Sequence, residues 1–288
     1  QQIPGFDFES WSQNHYNSSY PNVYYWEVEP KTIWASSNPA TTIVNSFCLQ
    51  QTTDAYSGSF AAYLETKSVF GQVASGNLFT GYFISDYLNS KAMRGIPFES
   101  KPSFIKGHYK YTSVNYSYNG NSVQDSCAIY AILSKWDGLQ RIEIGRAEMY
   151  SSVSSSTYQD FNIPFVYFSA ETPDTISVVF ASSVNGEFYR GGIGSKLYVD
   201  EVSFEYPSNI QNNHNDFKQL INSNEWTLIF REMFIGKLTV YDLSGRKIFC
   251  QEIENNSISI NISEWKTGVY CFQLSSNNVN YQGKICKE

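Results

Sequence analysis

The stretch that decides the fold is GGIGSKLYVDEVSFEY, residues 191 to 206, in which a glycine-rich turn leads into a strand-like run. Apolar and polar residues alternate along much of this run, as they do in a β-strand with one buried face. The glycines precede a strand and not a helix, so no helix N-terminus is available there to hold a phosphate group. The stretch therefore predicts a tight turn followed by a strand of a β-sandwich.

The composition favours β-structure and narrows the classes of partner. Aromatic residues make up 17% of the 288 residues and charged residues only 16%, a balance typical of half-buried pleated surfaces. The net charge of −7 and the pI near 5.1 argue against a nucleic-acid or anionic-membrane partner, because both attract basic patches. The length allows one large domain or two medium ones, and we expect two.

Strand-like runs dominate the chain, and each is bounded by Gly, Pro, Asn or Ser, a spacing that suits a sandwich. Long helical patterns are absent from the sequence. The runs are AAYLET, LFTGYFI, SFIKGHYKYTSVNYSY, CAIYAIL, RIEIG, FNIPFVYFS, TISVVFAS and KLYVDEVSFEY. The polar stretches 112 to 126 and 149 to 160 are expected to be loops.

Several segments in chain order resemble one known family. GFDFESW (5 to 11), GSFAAYLET (58 to 66), GNLFTGYFI (76 to 84), GIPFESKPSFIKGHYKY (95 to 111) and the stretch from 191 to 206 resemble the putative carbohydrate metabolism domain of surface and secreted proteins of Gram-negative bacteria. The resemblance covers residues 3 to 206. It implies an all-β, jelly-roll β-sandwich over residues 1 to 206, related to carbohydrate-binding modules.

A second domain is expected after a linker. The Pro/Asn-rich segment PSNIQNNHND, residues 207 to 216, breaks the strand pattern, and a new series of short strands fills residues 217 to 288. The V-Y-D-x-x-G-R motif at 240 to 246 and the G-x-Y motif at 268 to 270 resemble the C-terminal sorting domain of the type IX secretion pathway, although INSNEW (221 to 226) replaces its usual Asn-Pro element. The resemblance implies an immunoglobulin-like β-sandwich and contact with outer-membrane secretion machinery.

Location and cysteine chemistry agree with this interpretation. No apolar stretch is long enough to span a membrane as a helix, and we expect the export signal to be missing from the N-terminus of this sequence. The five cysteines form no C-x-x-C pair and are expected to be mainly buried thiols. Cys271 and Cys286 are expected to face each other across a hairpin with its loop at 277 to 280. The sequence does not decide whether they form a disulfide. Two unpaired thiols are favoured, because a disulfide between directly opposed cysteines has strained geometry.

Signatures of catalysis are scarce in the sequence. There is no G-x-S-x-G, H-E-x-x-H or Walker motif, and the three histidines lie far apart, which argues against a histidine-based triad or a hydrolytic zinc site. A glycosidase needs only two suitably spaced carboxyl groups. Any pair among Glu27, Glu29, Asp137, Glu143 and Glu148 leaves that possibility open.

Sugar binding requires aromatic platforms together with polar groups that hydrogen-bond hydroxyls. The segment VYYWEVEPKTIWASSNPAT, residues 23 to 41, is expected to be mainly loop and to provide Trp26, Trp34 and Asn38 for this purpose. The alternative is that these aromatic residues cap the core.

Two further places offer the same chemistry. Trp136 follows a strong strand in the turn SKWDG, and Tyr189 and Arg190 precede the glycine turn. Trp136 is an independent candidate. Tyr189 and Arg190 would complete a site by stacking and by a charged donor, or would form an ordinary surface pair.

A structural Ca²⁺ ion is the one cofactor that the resemblance to jelly-roll binding modules implies. Glu9 in the expected opening strand, residues 5 to 11, and Asp200 in the closing strand occupy the matching positions. Backbone carbonyls would have to complete a shell of six to eight oxygens. The alternative is that both are edge-strand charges that discourage aggregation.

Together these features predict a secreted or surface-exposed carbohydrate-binding protein without catalysis of its own, located outside the cytoplasm. The alternatives are a glycoside hydrolase or lyase acting on a polysaccharide, and a structural adhesin that makes protein contacts. A deep cleft with paired carboxyls would favour the enzyme, a shallow aromatic groove the binding protein, and an extended apolar patch the adhesin.

Overall fold

The computed structural model describes residues 1–15, 23–86, 90–206, 217–276 and 280–287. The chain divides into two compact units, Gln1–Tyr206 and Pro207–Glu288. The predicted linker, residues 207 to 216, lies outside the described residues. Strands dominate both units, so the all-β prediction is confirmed.

The first unit contains nineteen strands and two short 3₁₀ helices, η1 (Asn38–Val44) and η2 (Gly186–Phe188), among its described residues. The strands are β1 (Trp11–His15), β2 (Tyr24–Val28), β3 (Trp34–Ser36), β4 (Leu49–Thr52), β5 (Ala61–Glu65), β6 (Lys67–Val69), β7 (Gln72–Ala74), β8 (Asn77–Ile84), β9 (Lys91–Arg94), β10 (Ile96–Pro97), β11 (Phe104–Thr112), β12 (Asn115–Tyr118), β13 (Asn121–Gln124), β14 (Cys127–Trp136), β15 (Arg141–Ser151), β16 (Gln159–Pro164), β17 (Val166–Tyr167), β18 (Thr175–Ala181) and β19 (Lys196–Glu205).

Two antiparallel sheets form the sandwich of the first unit. The larger sheet has the strand order β17-β15-β14-β18-β8-β3, with β9 and β10 attached, and the smaller sheet has the order β16-β11-β19-β5-β4. Side chains from both sheets meet in one core, including Ile129 and Phe180 of the larger sheet and Ile105, Leu197 and Val199 of the smaller. The jelly-roll prediction is therefore confirmed.

The deciding stretch forms the turn before β19 and then β19 itself, which lies in the middle of the smaller sheet. Leu197 and Val199 point into the core while Tyr198 lies on the opposite face. Asp200 is fully buried on this central strand. The alternative that Asp200 is an edge-strand charge is wrong.

Three segments differ from their predicted local structure. The opening segment before Trp11 is not a strand, although Phe6 and Phe8 pack into the core. The segment 23 to 41 is not mainly loop, since it contains β2, β3 and the start of η1. The polar stretch 112 to 126 contains the hairpin β12–β13, whose turn residues Asn119 and Gly120 both have positive φ, the geometry that an Asn-Gly hairpin turn requires.

The second unit has five strands in one antiparallel sheet among its described residues, β20 (Phe217–Ile221), β21 (Glu225–Tyr241), β22 (Lys247–Asn261), β23 (Gly268–Ser275) and β24 (Asn280–Lys287). The long strands β21 and β22 pair in two stretches, separated by a register shift between Ile229 and Phe234. The first stretch of β21 pairs with β20 and the second with β23. Side chains from both stretches, such as Trp226 and Leu238, share one core.

The predicted face-to-face arrangement of Cys271 and Cys286 is wrong. In the β23–β24 pair, Cys271 lies opposite Lys284 and Cys286 lies opposite Val269, so the two cysteines are diagonal neighbours. Both are free thiols. A diagonal separation of about 7 to 8 Å exceeds the usual Cα distance of a disulfide.

No helix among the described residues is long and apolar enough to cross a bilayer.

Candidate functional site

Two of the predicted sugar-binding residues belong to the interior. The side chain of Trp34 is only 1% exposed and packs with Phe6, Phe8 and Phe180, while its indole N–H donates to the Pro4 carbonyl oxygen at 2.8 Å. A ring in this position offers no face to a ligand. The prediction that Trp34 is a sugar platform is therefore wrong.

Asn38 is also buried, and its amide group is fully used inside the protein. Its Nδ2 donates to the carbonyl oxygens of Trp26 and Leu49, and its Oδ1 accepts the backbone N–H groups of Cys48 and Leu49. All these bonds are between 2.8 and 3.2 Å long. Asn38 thus ties η1 to β2 and β4, and the prediction that it contacts a sugar is wrong.

The other predicted residues are accessible, but the structure does not bring them together. Trp26 is half-buried in β2, and Trp136 is exposed at the last position of β14. Tyr189 and Arg190 follow η2. The segment that leads into η2 lies beside the start of β14, because the Val184 backbone N–H donates to the Ser126 carbonyl oxygen. Trp136 is therefore separated from the Tyr189–Arg190 pair by the length of β14, about 30 Å for ten residues.

A cluster that the sequence did not single out lies on the outer face of the smaller sheet. We call it the tyrosine face and define it by Tyr63, Tyr198, Lys110, Tyr158 and His108. Tyr63 and Tyr198 are directly opposite each other on β5 and β19, with ring centroids 4.9 Å apart. Lys110 lies opposite Tyr198 on β11, and Tyr158 comes just before β16. Four consecutive elements of the sheet thus place an aromatic and cationic row on one surface.

Lys110 is the centre of this row. Its Nζ lies 4.2 Å from the ring centroid of Tyr198 and 5.2 Å from that of Tyr158, and it forms an ion pair with Asp54. The Lys110 side chain is only 10% exposed, whereas that of Asp54 is 56% exposed. The ammonium group therefore lies beneath the surface while its carboxylate partner faces solvent.

The loop before β5 carries Tyr56 onto the same face. The Tyr56 ring stacks on the imidazole of His108 with centroids 3.5 Å apart and an interplanar angle of 10°. His108 Nδ1 is 2.9 Å from a carboxylate oxygen of Asp160. Here again the outward member of the pair is the carboxylate, because Asp160 is far more exposed than His108.

The phenol groups of this face keep their protons. Burial raises the pKa values of Tyr63, Tyr158 and Tyr198 above the ordinary phenol value, and nearby carboxylates, among them Asp54 and Glu65, raise them further. The Tyr158 hydroxyl donates to the Asp54 carbonyl oxygen at 2.7 Å. The face therefore presents neutral rings and hydroxyl groups between exposed carboxylates, the chemistry that packs and hydrogen-bonds a pyranose.

Glu9 and Asp200, the predicted calcium ligands, hold the loop that carries Tyr56. Asp200 Oδ2 accepts the backbone N–H groups of Tyr56 and Ser57 at 2.8 and 3.1 Å, and Oδ1 accepts that of Glu201. The Glu9 carboxylate accepts the backbone N–H group of Ser59 at 2.9 Å. Backbone N–H groups point at the lone pairs that a cation would need, so these residues do not fit a calcium ion. Their observed role is to anchor the loop.

The five carboxyl groups named as hydrolase candidates fall into different environments. Arg146 binds both Glu143 and Glu148, the first through two bonds of 2.5 and 2.8 Å. The Asp137 carboxylate caps a turn by accepting two backbone N–H groups, which lower its pKa. A carboxylate held by a guanidinium or by N–H donors is a poor general acid, because these partners favour its ionised form.

Glu27 and Glu29 differ from the other three. Burial raises the pKa of Glu27 to about 7, with a smaller raising effect from Glu29. A hydrogen bond from the Ser12 hydroxyl is the main cause that lowers the pKa of Glu29. Glu27 lies in β2, and Glu29 lies at the bend that directly follows this strand. They form the one pair of neighbouring carboxyls, among these five candidates, whose pKa values are pushed apart.

Comparisons with known proteins bear on the whole chain. Residues 7–205 match the family model described as putative carbohydrate metabolism domain, and residues 218–288 match that of the secretion system C-terminal sorting domain. Both resemblances inferred from the motifs are thus confirmed. No curated protein sequence matches the chain.

Two solved structures of similar proteins come from Bacteroides species. A putative glycoside hydrolase from Bacteroides thetaiotaomicron is 25% identical with a TM-score of 0.57, and the match covers 70% of this chain and 71% of that chain. Another putative glycoside hydrolase, from Bacteroides vulgatus, is 23% identical with a TM-score of 0.58, covering 69% of this chain and 96% of that chain. The second likeness concerns the fold alone.

Proposed function

The chain belongs, over residues 7–205, to the putative carbohydrate metabolism domain family, and from that premise we propose that it binds a glycan on its tyrosine face without catalysis of its own. The observation that carries the proposal is the row of Tyr63, Tyr198 and Tyr158 around the cation of Lys110. Rings side by side on one sheet offer platforms for successive sugar units.

The charges of the face indicate the class of glycan. Its two cationic or basic groups, Lys110 and His108, are each paired with a carboxylate that is more exposed than they are. A ligand approaching from solvent therefore meets Asp54 and Asp160 first, which repel acidic sugars and accept hydrogen bonds from hydroxyl or amino groups. The ligand is accordingly a neutral or weakly basic glycan.

The C-terminal unit determines where this recognition takes place. Residues 218–288 match the secretion system C-terminal sorting domain, so the protein is secreted or held at the outer-membrane surface. The partner of the second unit is the secretion machinery, and the partner of the first is an extracellular glycan.

Calorimetry with neutral oligosaccharides selected on a glycan array tests the tyrosine face. Tyr198→Ala removes the central ring and should weaken binding by about tenfold or more, as expected for loss of one stacking contact of on the order of 1.5 kcal/mol. Tyr198→Phe keeps the ring and should retain most of the affinity. Melting temperatures of both variants separate lost binding from lost folding.

Trp136→Ala is the matched control, because it removes an exposed aromatic ring at the far end of β14. We expect it to bind like the parent. If Trp136→Ala loses binding and Tyr198→Ala keeps it, the site lies at the end of the larger sheet and the tyrosine face is not the binding surface.

Hydrolysis of a polysaccharide is the second candidate, and the contrasting environments of Glu27 and Glu29 favour it. Two neighbouring carboxyls whose pKa values are shifted apart, that of Glu27 to about 7 and that of Glu29 below its ordinary value, are the kind of pair that acid–base hydrolysis of a glycoside uses. The similar Bacteroides thetaiotaomicron protein is itself named a putative glycoside hydrolase. Release of reducing ends from bound oligosaccharides, abolished in Glu27→Gln, would establish catalysis; intact oligosaccharides after prolonged incubation support binding alone.

A further inference from the structure

The guanidinium group of Arg190 lies beside two aromatic rings. Its central carbon lies 4.1 Å from the ring centroid of Tyr118 on β12 and 5.7 Å from that of Phe188 in η2. Such cation–π contacts engage the flat surface of the guanidinium. Its N–H groups lie along the edge, so stacking fixes their direction without using them as donors.

These N–H groups have no acceptor within the described part of the first unit. Each of the other three arginines in this unit has at least one acceptor. Arg94 donates to the Tyr130 hydroxyl, Arg141 to Asp174, and Arg146 to two glutamates. The backbone N–H of Arg190 donates to the Asn185 carbonyl oxygen at 3.2 Å, but its side chain forms neither a hydrogen bond nor an ion pair with any described residue. Glu187, three residues earlier and exposed, is not within ion-pair distance of it.

The glycine turn that follows Arg190 fixes its backbone. A Cβ on Gly191 would lie 2.4 Å from Ser183 Oγ, and a Cβ on Gly192 would lie 2.0 Å from the Val114 carbonyl oxygen. Only glycine permits such close approach at these positions. The buried carboxylate of Asp125 accepts the Gly192 N–H at 2.8 Å and the Ser183 hydroxyl. Asp125 is thus already satisfied by neutral donors.

Exposed aromatic rings stand beside this cation. The side chains of Phe188 and Tyr189 are 59% and 65% exposed, and Tyr189 has a left-handed backbone with φ of 55°. Non-glycine residues adopt this conformation at a cost, and such residues occur frequently in binding sites. A free, oriented guanidinium next to open aromatic rings matches a sugar that carries an anionic group, which arginine binds through two parallel N–H bonds.

We propose that Arg190, with Tyr118, Phe188 and Tyr189, forms a second carbohydrate site, specific for a sugar that bears a carboxylate or sulfate group. The anion lies on the N–H edge of Arg190, and the sugar ring packs on Phe188 or Tyr189. None of these residues belongs to the tyrosine face, so the site does not depend on that proposal. A polysaccharide with both neutral and acidic sugars would engage both sites.

Calorimetry on the full chain tests this site with three probes: tetragalacturonate for the carboxylate, a chondroitin sulfate tetrasaccharide for the sulfate, and cellotetraose as the neutral sugar. We expect an acidic probe to bind, and the affinities of the two acidic probes to show which anion is preferred. Arg190→Gln should lower the affinity for the preferred acidic probe by at least about tenfold and leave the affinity for cellotetraose unchanged. The affinity of Arg190→Lys for the acidic probe should lie between those of the parent and Arg190→Gln, since a lysine makes no bidentate contact.

Arg141→Gln is the matched control, because it removes the same charge from an arginine that is already paired with Asp174. It should bind all probes like the parent. The proposal is overturned if no acidic probe binds the parent, or if Arg190→Gln and Arg141→Gln weaken binding equally, which would show a general charge effect. The proposal for the tyrosine face is tested separately by Tyr198→Ala. It fails if this variant still binds the neutral probe like the parent.

Discussion

Lys110 illustrates how a single residue sets the character of the tyrosine face. An ammonium group that is largely removed from water must recover its hydration energy from the protein. Here the recovery comes from the carboxylate of Asp54 and from the electron-rich faces of the Tyr198 and Tyr158 rings. The same contacts hold both rings in place, so the cation orders the platforms on which a sugar would stack.

Glu27 provides a test of residue-scale electrostatics by pH. Its pKa rises from 4.5 to about 7 on folding, mainly because burial disfavours its charged form. The folded state therefore binds the proton more tightly than the unfolded state does. Stability from this group is fully present below pH 4.5 and is lost as the pH rises through 7. We predict that Glu27→Gln stabilises the protein by on the order of 2 kcal/mol at pH 8 and much less at pH 4.5, measured by denaturant unfolding.

Glu29→Gln is the control with the opposite sign. The pKa of Glu29 is lowered by hydrogen bonds from Ser12 and Lys31, so its charge stabilises the folded state above the unfolded pKa and loses this effect as the pH falls. Its replacement should lower stability slightly at pH 8. An equal response of the two variants at both pH values would contradict the assigned environment of Glu27.

Residue identity alone did not distinguish a platform from a core residue. Trp34 and Tyr198 are both large aromatic residues, and only the tryptophan was predicted to be a sugar platform. The alternation of Leu197, Tyr198 and Val199 did contain the answer, because Leu197 and Val199 point inward and place Tyr198 on the outer face. Trp34 had no comparable signal, since its short strand gives no register and its burial depends on Phe6, Phe8 and Phe180 from distant parts of the chain.

At the scale of elements, the loop between β4 and β5 behaves as part of the site. Its backbone N–H groups are bound by the carboxylates of Asp200 and Glu9, which come from the closing strand and the opening segment. A Cβ on Gly58 of this loop would lie 2.2 Å from Glu9 Oε1, and its φ is +65°, so the loop needs glycine here. These long-range contacts place Tyr56 on His108.

Asp200→Asn tests this anchoring. Both oxygens of Asp200 accept backbone N–H groups, and an amide has only one oxygen, so its NH₂ group would face a donor. We predict a loss of about 1 to 3 kcal/mol in unfolding free energy, together with loss of the Tyr56–His108 stack. Denaturant unfolding gives the first quantity, and the histidine ring proton shifts report the second.

The same experiment separates loop anchoring from the calcium hypothesis. If Glu9 and Asp200 serve only the loop, the melting temperature of the parent is the same in excess calcium and in chelator. A rise with calcium that disappears in Asp200→Asn would show by mass action that a metal binds there, and the anchoring account would then be incomplete.

The strand pattern was the part of the fold that the sequence predicted best, because alternation and turn residues are local signals. The hairpin β12–β13 was missed because the stretch 112 to 126 is rich in Ser, Asn and Gln, although Asn119 and Gly120 are a strong turn signal. The change of partner along β21, from β20 to β23, was equally hidden. It coincides with a register shift between β21 and β22 at Ile229 and Phe234, and residues 229 to 234 contain no Gly or Pro that would signal it.

At the scale of the whole molecule, recognition and export are assigned to different units. The first unit has a core built from its two sheets, and the second has a separate core around Trp226 and Phe272. Each unit thus buries its own apolar surface, which is the basic requirement for independent folding. We therefore expect the two units to fold separately.

Limited proteolysis of the full chain tests whether the two units fold independently. Residues 207 to 216 are polar and rich in Asn, with no apolar pattern to bury, and domain boundaries usually fall in such segments. We predict cleavage between Tyr206 and Phe217, leaving two resistant fragments that can be identified by mass spectrometry.

Trp226→Ala removes a fully buried side chain of the second core and should lower the unfolding free energy of the second unit by about 3 to 5 kcal/mol. The C-terminal fragment should then become labile, while the N-terminal fragment still resists the protease and binds glycan. If Trp226→Ala makes both fragments labile together, or if the parent melts as one unit and is not cut in this segment, the two units form one cooperative body and the division of roles between them fails.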